Sequence, residues 1–517
     1  MTKPYLISIT CEMTNILTIT IFSLIMIVAL KIVRNPKKTK STPNIPPGPW
    51  KLPILGNIAQ IITSAPHKKL RDLAKLYGPL MHLQLGEVIT IIVSSPEYAR
   101  EIMKTHDIIF AARPRSVLSN ILSYNSAGIA SASYGNSWRV LRRMCTMELL
   151  SQKRVDSFQP IREEELTSLI QMIDSQKGSP INLTQVILST IYSIISRAAF
   201  GKKCKDQEEL ISLVKEGLAI IEDFFPSTRW LQLATGLRPK LERLHRQMDQ
   251  ILENIIIEHK EAAKSKAIEG QDEEDKEDLV DLLLKLQDGN DNNNKDIRLT
   301  DNNIKATILE IFSAGGEPSA ITIEWAMSEM IKHPRVMKKA QAEVRMIFNM
   351  KGKVDDTCIN ELKYLKSVVK ETLRLHPPGP LLLPRECTQD CKINGYDIPI
   401  KSLVIVNAWA IGRDPNYWTD PERFYPERFM DSSVDYKGSN FEYIPFGAGR
   451  RICPGSTFGL INVELTLALF LFHFDWKLPN GIKNEDLDMT EEFKVTIRRK
   501  NNLYLIPISS SASVIAM

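Results

Sequence analysis

The sequence predicts a mainly α-helical body with a smaller β region, preceded by one N-terminal transmembrane helix. Three observations carry this reading. Eighteen consecutive uncharged residues lie between Glu12 and Lys31, which at about 1.5 Å per residue nearly matches a hydrocarbon core of roughly 30 Å. From Pro96 onward the apolar residues recur mostly at helical spacing. Strand-like runs bounded by turn residues fall at 50–93, at 391–407 and in the final stretch FKVTIRRKNNLYLIP. With 517 residues, 43% hydrophobic and 25% charged, the chain can build a large core, and disordered or fibrous classes are excluded. A charge of +5, from 66 basic against 61 acidic residues, is too small a surplus to indicate nucleic acid.

In chain order, residues 1–30 read as a membrane anchor. Lys31, Arg34, Lys37, Lys38 and Lys40 follow directly, and the positive-inside rule then places the rest of the chain on the cytosolic side. A cleaved secretory signal would carry its cations on the other flank and a small-residue cleavage site. The whole segment 31–50 reads as a hinge, basic first and then proline-rich (TPNIPPGPW), because clustered prolines hold backbone extended. Residues 51–517 read as one folded body.

Within the body, QDEEDKED from Gln271 and GNDNNNKD from Gly289 are polar enough to be solvated loops, with LVDLLLKLQ a short amphipathic helix between them. Thr300 and Asp301 offer a cap to a long apolar-periodic helix that runs through Lys332 and is stopped by His333 and Pro334. Seven dispersed cysteines suit a reducing compartment. Cys387 and Cys391 are close in sequence, but no second pair or nearby histidine completes a tetrahedral metal site, so both read as structural.

The densest chemical signal is FGAGRRICPG at 446–455, followed at once by an apolar helix. Three glycines let the backbone fold tightly, and the positive end of the helix lies just behind Cys453. Both features stabilise a thiolate. Phe446, Gly449, Arg451, Cys453 and Gly455 resemble the heme-binding signature of the cytochrome P-450 family. The resemblance implies a heme b whose iron takes Cys453 as axial thiolate, which favours O–O cleavage, with Arg451 pairing with a heme propionate.

Three other stretches extend the resemblance over essentially the whole chain, in the style of plant microsomal members. In KETLRLHPPGPLLLPRE, Glu371 and Arg374 lie three apart on one helix face. With Arg428 of FYPERF they match the family's buried structural triad, and the nearby DPERF is a less well-spaced competitor. In WRVLRR, Trp138 and Arg142 are one turn apart and match the propionate-binding helix; Arg385 matches a further propionate partner.

The run FSAGGEPSA departs from the family pattern. Ala314, Gly315 and Glu317 match, but Pro318 stands where most members have a threonine that helps deliver protons to dioxygen. Proline should free the Ala314 carbonyl and bend the helix, and an ordered water there could form a proton relay with Ser319 or Glu317. The substrate pocket is expected from Phe312, Gly315, Leu381, Leu382 and Leu383, and from the segment 113–131. The resemblance implies a NADPH-dependent monooxygenase in the endoplasmic reticulum membrane, fed by a flavoprotein reductase, contacting membrane lipid and acting on a lipophilic plant metabolite. A terpenoid such as a casbene-like macrocyclic diterpene leads. Alternatives are a fatty-acid epoxygenase, a hydroperoxide-rearranging enzyme that needs no electrons, and a non-catalytic heme-binding protein.

Overall fold

The structure is a computed structural model, and it describes residues 43–202, 205–218, 236–269, 277–287, 299–352 and 356–510. The expected anchor, the first part of the hinge and most of the two polar loops lie outside the described residues. The part of the hinge that is described lies fastened along the body. The Asn44 amide N–H donates to Asp397 Oδ2 at 2.8 Å, its side chain donates to the Gly395 carbonyl at 3.0 Å, and the His82 N–H donates to the Pro47 carbonyl at 2.9 Å.

The body is mainly helical with small sheets. A four-stranded sheet has the order Leu80–Leu85, Val88–Val93, Leu403–Val406, Arg385–Glu386. The first two strands form an antiparallel hairpin around Gly86, whose φ of +59° suits a tight turn. Val88–Val93 then pairs in parallel with Leu403–Val406, in the register Thr90↔Leu403 to Val93↔Val406. Arg385–Glu386 adds antiparallel on the far side, so a chain-distant arginine is carried at the edge of the N-terminal sheet.

At the centre runs the helix Asp301–Lys332, bounded as its sequence signals indicate. The Thr300 hydroxyl accepts from the Asn303 N–H at 3.2 Å, and the Asn303 side chain accepts from the Thr300 N–H at 3.1 Å, closing a capping box. This central helix packs against Leu183–Phe200 on one side and Ser456–His473 on another. Two glycines permit the first approach: a Cβ at Gly316 would overlap the Tyr192 ring, and one at Gly315 would reach Ile195 Cδ1 at 3.0 Å. The segment LVDLLLKLQ is the helix Leu279–Gln287. Among the described residues, Leu183–Phe200 and Ser456–His473 are long and apolar enough to cross a membrane, yet most of each is buried against the protein, as in core helices.

Candidate active site

The loop before Ser456–His473 is shaped by its glycines. Gly447 (φ +71°) and Gly449 (φ +69°) adopt left-handed backbone, and a Cβ on Gly449 would overlap the Met103 carbonyl and come 2.8 Å from Asp107 Oδ2. The Cys453 N–H donates to the Phe446 carbonyl at 2.9 Å, and the Phe446 ring packs edge-on against Tyr436. Burial pushes the Cys453 thiol above its ordinary pKa, while the N–H groups of Gly455 and Ser456 and the Arg142 guanidinium pull the other way. These donors favour the anionic sulfur that a soft metal ion would take.

Around this loop the fold gathers four guanidinium groups. Arg451 donates to the carbonyls of Ala111 (2.7 Å) and Ala132 (2.5 Å) and lies 4.2 Å from the Trp138 ring centroid. Arg385 donates to Asp107 Oδ1 at 3.0 Å and to the Ala448 carbonyl at 2.9 Å. Arg113 donates to the carbonyls of Ala130 (3.0 Å), Leu383 (2.8 Å) and Pro384 (2.6 Å), and Arg142 lies within electrostatic reach of Cys453. The carboxylates opposing these charges include Asp107 and Glu310, and the sulfur of Cys453 opposes Arg142. Burial and the neighbouring arginines lower Arg113 well below its ordinary pKa and Arg451 to about 10. A buried site with more cations than anions fits a ligand bearing two carboxylates, and heme has two propionates. The residues present therefore fit the group that the cysteine loop suggests.

Asp107, Arg113 and Glu310 were not singled out by motif. Arg113 falls in the segment expected to touch substrate, and the pairing of Ala112 with Glu386 brings it beside 383–385. Asp107 also accepts the Arg450 N–H at 2.8 Å, fixing the cysteine loop.

The central helix presents one open face here: Ala314 is exposed, and Ile311, Gly315 and Pro318 are partly so, although most residues around them are buried. The helix runs unbroken through Pro318, which has no N–H for the Ala314 carbonyl. Four expectations need correction. The Phe312 ring is fully buried between Tyr192 and Phe200, at centroid distances of 4.8 and 6.0 Å, on the side away from Ala314, so it is core and not pocket. The Ser319 hydroxyl donates to the Gly315 carbonyl at 2.9 Å and faces Gly459 of Ser456–His473; its angular position, not its spacing, takes it from the open face. Glu317 is buried near Tyr192 and Lys215, likewise off that face. Of the three leucines, Leu381 packs into the sheet cluster of Met81 and Leu83, which removes it from the expected wall. Leu382, at φ +51°, lies beside Gly447, and Leu383 is 48% exposed.

Behind the cysteine loop, Arg374 forms a two-point pair with Glu371 at 2.8 and 2.9 Å, and Arg428 Nε donates to Glu371 Oε1 at 3.0 Å. Glu371 and Arg374 are buried, and Arg374 also donates to the carbonyls of Gly412 and Pro421. Arg423 of the competing motif points out, its side chain 61% exposed.

The comparisons agree with this geometry. The family model for Cytochrome P450 matches residues 46–506. Cytochrome P450 71D11 of Lotus japonicus is 60% identical over 93% of this chain and 98% of its own length. Tabersonine 16-hydroxylase 1 of Catharanthus roseus is 55% identical, covering 91% and 92%, and desmethyl-deoxy-podophyllotoxin synthase of Sinopodophyllum hexandrum is 53% identical, covering 94% and 96%. A zebra fish cytochrome P450 structure with abiraterone superposes at a TM-score of 0.73 with 25% identity, over 87% of this chain and 100% of that one. The protein belongs to the cytochrome P450 family of heme-thiolate monooxygenases.

Proposed function

We propose that this enzyme uses electrons from a NADPH-dependent flavoprotein reductase, at the endoplasmic reticulum membrane, to oxygenate a lipophilic plant metabolite, with Cys453 as the axial thiolate. The observation that carries the reading is Cys453, faced by two backbone N–H groups beside four clustered arginines. Bound heme supplies the reductive activation of dioxygen. The chain's own contribution is to hold the sulfur, neutralise the propionates through Arg113, Arg142, Arg385 and Arg451, and present an apolar face from Ala314 and Pro318 to the substrate.

For the substrate we propose a terpenoid, with a casbene-like macrocyclic diterpene the leading molecule. Support lies in the charge-poor open face, in Leu383, and in the likeness of FSAGGEPSA to plant diterpene oxidases. Relatives whose names give tabersonine or a podophyllotoxin-type product make those ligands necessary members of any panel. Pro318 favours a second reading, hydroperoxide rearrangement, since the usual threonine is missing.

The test is product analysis of microsomes containing this protein and a plant reductase, supplied with cyclic diterpenes, tabersonine, unsaturated fatty acids and their hydroperoxides, with and without NADPH. An oxygenated diterpene formed only with NADPH is the expected result. NADPH-independent conversion of a hydroperoxide would replace the monooxygenase reading with the second one. Cys453→Ser should abolish the thiolate-type absorption spectrum, and survival of that spectrum would overturn the ligand assignment.

A further inference from the structure

The short segment 128–132 is held from both edges. On one edge its carbonyls receive the arginine cluster and its helix: Ile129 accepts Trp138 Nε1 at 2.9 Å, Ala130 accepts Arg113 Nε at 3.0 Å, and Ala132 accepts Arg451 Nη2 at 2.5 Å. On the other edge its amides meet one buried carboxylate of the central helix. The Ala130 N–H donates to Glu310 Oε2 at 2.7 Å and the Ser131 N–H to Glu310 Oε1 at 3.2 Å. Glu310 lies one turn before Ala314 on the same helix. A Cβ at Gly128 would overlap the Glu310 carboxylate, so glycine there admits the acid to the loop. An apolar side chain would fill this place without the desolvation cost of a buried carboxylate, and the two amides it accepts are the compensating contacts.

We propose that Glu310 is a positioning residue: by accepting the amides of Ala130 and Ser131 it fixes the loop whose carbonyls anchor the Trp138 ring N–H and orient Arg113 and Arg451 towards the heme propionates. The inference rests on the propionate reading given above. Glu310 touches no reacting atom in this role; it links the substrate-facing helix to the groups that retain heme.

The experiment measures the rate of heme transfer from the full-length holoenzyme to an excess of apo-globin, together with the ferric–ferrous potential. Glu310→Ala and Gly128→Ala should each speed heme loss roughly tenfold, the scale expected for losing hydrogen bonds to a charged acceptor. The double variant should be no faster than Glu310→Ala, because removing the carboxylate leaves the new methyl group nothing to displace. Glu310→Gln keeps the size and one acceptor, so its heme loss should fall between wild type and Glu310→Ala, while the potential rises with loss of a nearby negative charge. Phe312→Leu weakens the same helix from its other face and should lower the melting temperature without changing heme loss. Unchanged heme loss in Glu310→Ala, additive effects in the double variant, or equal acceleration by Phe312→Leu would overturn the proposal. Arg451→Ala separates the two claims: if it speeds heme loss and Glu310→Ala does not, the clasp alone fails; if neither does, the propionate reading fails with it.

Discussion

At the scale of single residues, two arginines from near-identical sequence motifs have opposite surroundings. Arg428 meets the fully buried Glu371 and the carbonyls of Thr419 and Asp420, whereas Arg423 projects into solvent. Arg428→Ala leaves Glu371 with one partner fewer in a dry environment, a loss of about 1.5–3 kcal/mol, whereas Arg423→Ala should stay within about 0.5 kcal/mol. Thermal unfolding of the two variants checks this contrast. A second residue sets a pH dependence. Glu464, buried on Ser456–His473, is pushed up to about 7 by desolvation, against a pull from Lys366 and Lys370. Well below pH 4.5 the carboxyl is neutral folded and unfolded, and at pH 4.5 itself the cost is still small. Between about 4.5 and 7 the unfolded chain has released a proton that the folded chain retains, and stability falls as pH rises; above 7 the penalty is complete, on the order of 3 kcal/mol. Glu464→Gln should therefore stabilise the protein at pH 8 and scarcely at pH 4.5, and equal gains at both would show that the carboxyl ionises normally. The site residues that a motif could show were those with fixed local spacing: Cys453, Arg451, Trp138 with Arg142, and Glu371 with Arg374. Asp107, Arg113 and Glu310 owe their place to contacts between distant segments, and no local pattern marks them.

At the scale of elements, the central helix was legible in length and ends because its cap and stop are local chemistry. Its rotation was not. Neighbours three and four apart share a face, but the choice of face depends on what packs against it. Here Tyr192 and Phe200 claim Phe312 and Gly316, and Ile195 reaches Gly315, which leaves Ala314 and Pro318 to the open side. The hydroxyl expected to relay protons consequently bonds back to its own helix at Gly315. Ser319→Ala should leave both turnover and product formed per NADPH close to wild type, while Pro318→Thr, on the open face, should change that ratio. Measuring both variants with one substrate decides between them: a large effect of Ser319→Ala would return its hydroxyl to the relay, and an unchanged ratio in Pro318→Thr would make the proline a passive feature of the helix.

At the scale of the whole molecule, helical body and small sheets followed from periodicity and turn residues, while sheet order did not, because a strand's partner is chosen by topology. The parallel pairing of Val88–Val93 with Leu403–Val406 bears on how the protein is made. At the usual synthesis rate of roughly 5–20 residues per second, the hairpin waits on the order of 15–60 s for its third strand. Throughout that interval Ile91, Ile92 and Val93, fully enclosed in the finished fold, sit on an open edge capable of pairing with another chain. The yield of this enzyme in a foreign host should thus be governed by what shields that edge during translation, a kinetic hazard invisible in the stability of the completed fold.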